Sequence, residues 1–157
     1  VLAATNRRVD QINGAMMAGL PGPEVRVDAM WGGEWPRNLD PAPRSLALRP
    51  GARVMTLAND PDGLWANGTL GTLEGFDSDD VAVVRLDSGV EVSIGRHCWP
   101  MVRNRLVDGR GEPVEGGTYI QLPLRPACAV TIHKSQGLAF PSGEWTFSMI
   151  KPISMPI

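Results

Sequence analysis

The chain has 157 residues, 43% of them hydrophobic and 20% charged, with a formal net charge of −2 at pH 7. That length suits one domain, or one with a small insert, and lets a chain bury roughly two thirds of its unfolded surface. A charge so close to zero excludes an overall basic field for nucleic acid, and no apolar run approaches the roughly 20 residues of a membrane-spanning helix.

No basic, apolar, small-residue sequence opens the chain as a secretory signal would, and the two cysteines, Cys98 and Cys128, stand far apart and outside metal-ligand spacing. Both observations point to a cytoplasmic protein with free, mostly buried thiols. The first residue is Val1 rather than methionine and an apolar strand begins at once, which reads as a fragment of a longer polypeptide. The basic residues are lopsided, 13 Arg against Lys134 and Lys151. Planar, bidentate anion recognition would favour arginine, but a GC-rich genome produces the same bias and is the simpler cause.

Val1 to Ala4 read as a short buried strand, after which Thr5 or Asn6 is placed to cap a helix by accepting an orphan N–H of its first turn. Val9, Ile12, Met16 and Leu20 recur at helical spacing, predicting the buried face of that helix. Gly19 and Pro21-Gly22-Pro23 end it. From Glu24 to Pro50 periodicity is poor, apart from expected strands at Val25 to Asp28 and Ser45 to Leu48.

Between Gly51 and Leu124 the pattern is β throughout. Strands are expected at Arg53 to Leu57, Thr69 to Glu74, Val81 to Leu86, Val90 to Ile94 and Tyr119 to Leu124, with turns at Asp60 to Gly63, Asn67-Gly68, Asp77 to Asp80 and Ser88-Gly89. Asn67-Gly68 is a strong tight-turn signal because both residues tolerate positive φ. Several short, closely spaced strands make a small barrel.

The densest cluster of donors is Thr131-Ile132-His133-Lys134-Ser135-Gln136-Gly137. Hydroxyls, an ammonium and backbone amides in one short run suit a phosphate or a nucleic-acid backbone. Taken alone, the run is equally a polar surface turn.

Its surroundings decide between the two. Gln121-Leu122-Pro123-Leu124-Arg125, then Ala127-Cys128-Ala129-Val130 and the heptapeptide, resemble motif V of superfamily 1B DNA helicases, the branch holding the Pif-type and RecD-type enzymes. Ala4 to Asn13 resembles the strand and helix that open the family's second motor lobe. Gly51 to Met55, Asn59-Asp60 and Trp65 to Gly71 resemble the small barrel inserted in that lobe.

The resemblance covers roughly residues 1 to 138. It implies an α/β fold: a partial RecA-like lobe at 1–48, an inserted SH3-like β-barrel at 49–124, a return to the lobe with motif V at 125–140, and an atypical tail at 141–157. It further implies that Thr131, His133, Lys134 and Ser135, with Trp65, contact single-stranded DNA, and that Gln136 and Gly137 couple this grip to the nucleotide. ATP and Mg would serve the intact enzyme, beside an N-terminal motor lobe on the same or a neighbouring polypeptide, and no membrane is involved.

Individual roles stay open at this level. Thr131 either holds DNA or caps a turn, His133 either holds DNA or is a core imidazole, and Lys134 is either a ligand or a solvated charge. Trp65 either stacks on a base or closes the barrel end, and Asn67 leans to a purely structural turn. Arg53 carries the same ambiguity, while Arg7 and Arg8 are more simply the wet face of their helix. Trp31 and Trp35 are either a base-stacking platform or a plug between lobe and insert, and the plug is favoured because large aromatics are so often core.

The sequence departs from the family in what it lacks. No G-x-x-x-x-G-K-[ST] loop, no strand ending in magnesium-holding acids and no arginine after Arg125 occur, so the chain alone is not expected to bind or hydrolyse ATP. An SH3-like protein-interaction module or an inactive helicase remnant is the reading from another class. A metal enzyme built on His97, Cys98, Cys128 and His133 is a third.

Overall fold

The computed structural model describes residues 2–78, 80–107 and 109–131. Its elements fall in the order β1 (Leu2–Ala3), α1 (Asn6–Ala18), β2 (Val25–Asp28), β3 (Met30–Gly33), a 3-10 turn (Arg37–Leu39), β4 (Ser45–Leu48) and β5 (Arg53–Thr56). There follow β6 (Leu70–Ser78), β7 (Val81–Leu86), β8 (Glu91–Ile94), β9 (His97–Val107), β10 (Arg110–Gln121), β11 (Leu124–Pro126) and β12 (Val130–Thr131). The fold class is mixed α/β.

Thr5 sits in extended backbone and its side chain accepts from Arg8 N at 3.3 Å, the N-cap expected from sequence. The buried face is the expected one in part, with Val9 fully buried and Ile12 and Leu20 packed on the cores, but it is turned away from Met16. Val9, Asn13 and Met17 point inward with Ile12 and Leu20 at the margin, whereas Met16 is 54% exposed. The stripe is turned because part of what α1 packs against is peptide backbone, at residues 126–129, which selects an amide over an apolar side chain.

Five strands form an antiparallel sheet in the order β11-β5-β6-β7-β8. Alternation drives it: Ala82, Val84 and Leu86 of β7 and Val92 and Ile94 of β8 all face the interior. Register shifts between Leu73 and Gly75 and between Phe76 and Ser78 curl β6. Gly71 is required where β6 meets β7, since a Cβ there would lie 2.8 Å from Arg85 O. The antiparallel pair β2-β4 adds Val27, Leu46 and Leu48, and α1 adds Met17, to one core continuous with Val54, Leu73, Leu122 and Leu124.

The sequence reading missed most of a long hairpin. It expected a strand only at Tyr119 to Leu124, but β9 and β10 pair from Gln121↔His97 to Arg110↔Val107, with β3 on the other side of β10. Two prolines are accommodated in it because β3 covers β10 only from Gly117 to Ile120, so Pro113 lies where that side is uncovered, and Pro100 is on the edge strand β9.

Cys98, on β9, is exposed rather than buried as expected, because it lies on the face of this sheet opposite Trp99 and Tyr119. No disulfide joins Cys98 to Cys128.

Tyr119 is fully buried and anchors a second cluster with Ala29, Ala42, Trp35, Leu57 and Trp99, its hydroxyl donating to Ala42 O at 2.8 Å. Next to it, Gln121 is 0% exposed. Its amide donates to Val27 O (3.0 Å) and Pro43 O (2.9 Å) and accepts from Leu122 N (2.8 Å), tying the hairpin to β2 and to the segment before β4.

Candidate nucleic-acid interface

The segment entering the donor-rich run is held step by step. Leu124, Arg125 and Pro126 pair with Thr56, Met55 and Val54 of β5, and Ala127 N donates to Arg53 O at 2.8 Å. Residues 127–129 then belong to no strand. Here Asn13 intervenes: its Oδ1 accepts from Ala129 N (2.8 Å), and its Nδ2 donates to Ala129 O (3.1 Å) and Pro126 O (3.4 Å). One residue further on the chain enters β12, a parallel pair with β1 in the register Leu2↔Val130 and Ala3↔Thr131. Ala3, Val9 and Ala129 seal this corner beneath the ladder.

Thr131 is therefore placed at the end of β12, beside β1. His133, Lys134, Ser135, Gln136 and Gly137 lie outside the described residues, as does the tail expected at 141–157.

Trp65 lies in the loop between β5 and β6, far along the chain from this corner. Its ring packs against the main core, its carbonyl accepts from Asp60 N at 3.0 Å, and its Nε1 is buried without an acceptor among the described residues. Leu64 beside it is exposed. Asn67 and Gly68 form the expected turn, with Gly68 at φ 90° and Asn67 N donating to Asn59 Oδ1 at 2.7 Å. Arg53 makes a bidentate pair with Asp87 at 2.6 and 2.8 Å and also donates to Thr72, so its guanidinium serves the sheet. That guanidinium holds the Asp87 carboxyl below its ordinary range. Arg7 and Arg8 are exposed on α1.

Trp31, Tyr119 and Trp99 stand in one cross-strand row on a single face of the three-stranded sheet. Trp31 is 48% exposed, but Arg44 lies over its ring at 4.3 Å and Tyr119 stacks on it at 6.5 Å. Arg44 in turn is held by Asp40 at 2.6 Å. Trp35 tilts onto Tyr119 at 5.3 Å. These rings contact one another, and Arg44 covers that of Trp31.

Between α1 and the segment before β4 runs a groove of about 800 Å³, lined by Asn6, Asp10 and Asn13 on one wall, Asp40 and Arg44 on the other, and Arg125 from β11. Burial lowers the Arg125 guanidinium from its ordinary value, opposed by the nearby Asp10 carboxylate. A half-buried cation on β11 is a feature the sequence pattern did not single out. Nor did it single out Asn13, whose partners lie 113 and 116 residues away and leave no local signal.

Comparison with known proteins places this geometry. No protein-family profile matches the chain. It is 32% identical over 136 residues to the ATP-dependent DNA helicase Pif1 of Bdellovibrio bacteriovorus, a match spanning 82% of this chain and 28% of that protein. Bacteroides Pif1 bound to single-stranded DNA superposes with a TM-score of 0.79 at 34% identity, covering 88% of this chain and 32% of that one. The Bacteroides Pif1 complex with ADP-AlF4 gives 0.78 at 34% identity, over 88% and 32% of the two chains.

A mixed α/β unit with a curled antiparallel sheet is thus a fold this chain shares with solved DNA helicases. The chain belongs to the Pif1-type family of superfamily 1B. It spans less than a third of the length of the relatives just described. No helix among the described residues is long and apolar enough to cross a membrane.

Proposed function

We propose that this chain supplies half of the single-stranded DNA grip of an ATP-dependent 5′-to-3′ Pif1-type helicase. Thr131, His133, Lys134 and Ser135 hold the sugar-phosphate backbone, Trp65 lies along the DNA path, and Gln136 and Gly137 transmit the nucleotide state. In this reading β1, α1 and β12 belong to a RecA-like second lobe, and the curled five-stranded sheet is its inserted SH3-like barrel. Backbone contacts of this kind ignore the base, as a translocating motor requires.

The observation that carries the reading is the fixing of residues 124–131 by three separate devices, β5, Asn13 and β1, immediately before the donor-rich run. A segment that served only as a surface turn would need no such frame. The relative solved with single-stranded DNA supports the same assignment of ligand.

ATP and magnesium belong, on this reading, with the motor lobe that carries the phosphate loop. Among the described residues no three His, Cys, Asp or Glu side chains converge as metal ligands, and no step of nucleotide chemistry is assigned to this chain. When bound, the nucleotide and its metal would supply the driving force for translocation.

Fluorescence anisotropy with labelled oligo-dT over a range of salt concentrations tests the grip. Loss of one phosphate contact in Lys134→Ala should weaken binding and flatten the log K against log salt slope by about 0.7. An unchanged slope and affinity would remove Lys134 and the motif from the interface.

A further inference from the structure

We propose that the groove between α1 and the segment before β4 is a docking site for an extended, acidic segment of a partner protein, held by one carboxylate on Arg125. This role is separate from the DNA grip proposed above. The groove has a volume of about 800 Å³ and follows α1 from Asn6 to Ala18. That stretch of helix is about 18 Å long, enough for about five residues of extended chain. Buried Met17, Ala42 and Leu46 give it an apolar floor, while Asn6, Asp10 and Ser45 at its margins are exposed. An apolar centre with a polar rim is how protein surfaces bury a partner.

Two features of the groove lack an explanation among the described residues. Gly14 lies in the middle of α1 and on the groove wall. Glycine in a helix interior is less favourable than alanine, and a Cβ built here meets nothing within 4 Å. No packing in the described chain calls for its absence. What a missing side chain provides is close approach to the helix backbone by something lying in the groove.

The second feature is Arg125. Of the other arginines lining the groove, Arg44 is held by Asp40 at 2.6 Å and Arg49 donates to Leu20 O at 3.2 Å. Arg125 is half-buried, yet its guanidinium has no hydrogen bond or ion pair with a described residue, Asp10 acting on it only at longer range. A planar guanidinium partly withdrawn from water is completed by a carboxylate that takes two of its N–H groups.

A phosphate chain is the poorer match. Arg44, Arg49 and Arg125 are balanced by Asp10, Glu24 and Asp40, so the groove presents no net positive field to a polyanion. A peptide brings a single carboxylate for the one unmatched cation, apolar side chains for the floor and a narrow backbone to pass over Gly14.

The test is a selection of displayed random dodecapeptides on the 157-residue chain, followed by anisotropy with the enriched peptides as labelled synthetic probes. The enriched sequences should share an Asp or Glu. Changing it to Asn or Gln should weaken binding about tenfold to the parent and less than about twofold to Arg125→Gln. Gly14→Leu puts a good helix former into open space, so it should fold as the parent does and lose at least about tenfold in peptide affinity. Thermal melts check that both variants are folded. No enrichment on the parent over Arg125→Gln, equal peptide affinity of parent and Gly14→Leu, or indifference to the peptide's acid would overturn the proposal. Self-association of the parent that Gly14→Leu abolishes would do the same, by giving the groove to a second copy. So would a loss of oligo-dT affinity in Arg125→Gln, by giving it to DNA.

Discussion

Replacing Gln121 by leucine would test whether one buried amide organises the hairpin. Leucine roughly preserves the volume and gains some apolar burial, yet it removes the partners of Val27 O, Pro43 O and Leu122 N at a site with no solvent exposure. Each buried, orphaned group costs about 1–3 kcal/mol. With the gain in apolar burial set against three such groups, the expected net loss is about 3–5 kcal/mol, a large share of the ~5–15 kcal/mol that holds a typical domain. With a urea m-value near ~2 kcal/mol/M, the unfolding midpoint should fall by about 2 M. Gln11→Leu, on the exposed face of α1, is the control and should stay within about 0.5 kcal/mol. A Gln121→Leu midpoint within ~0.5 M of the parent at unchanged m would refute the idea that these three backbone groups depend on the amide.

Two further outcomes follow from the geometry. Because Arg53 depresses the Asp87 carboxyl, the pair contributes stability that is fully present above the ordinary aspartate pKa of about 3.9 and is lost as pH falls through the lower folded value. Asp87→Asn should accordingly be less stable at pH 6, with the gap narrowing as pH falls below the ordinary aspartate range, and parallel melting curves at every pH would contradict the pairing. The rotated face of α1 predicts that Met17→Ala costs about 2–5 kcal/mol while Met16→Ala costs no more than about 0.5 kcal/mol; the reverse order in denaturant titrations would restore the helix face expected from sequence.

Much of the fold was legible because it rests on neighbours in the chain. The Thr5 cap, the Asn67-Gly68 turn and the alternation of β7 and β8 are settled within a few residues, and their bounds agree closely with expectation. The family, too, was legible in local strings, above all the run from Gln121 to Gly137. The hairpin of β9 and β10 was not, because Pro113 is a breaker only where a strand lies on both sides, and nothing local says where β3 stops.

The same division runs through the candidate site. Sequence alone determined that a donor-rich run follows an apolar approach, and hence the kind of ligand to consider. Tertiary structure alone decided that Asn13 and Gln121 are buried clamps, that Met16 faces solvent, and that Arg53 answers to Asp87. Periodicity tells which side of an element is apolar, but not which element will meet it. A carboxamide placed against backbone 94 or 116 residues away becomes visible only when the chain has closed on itself.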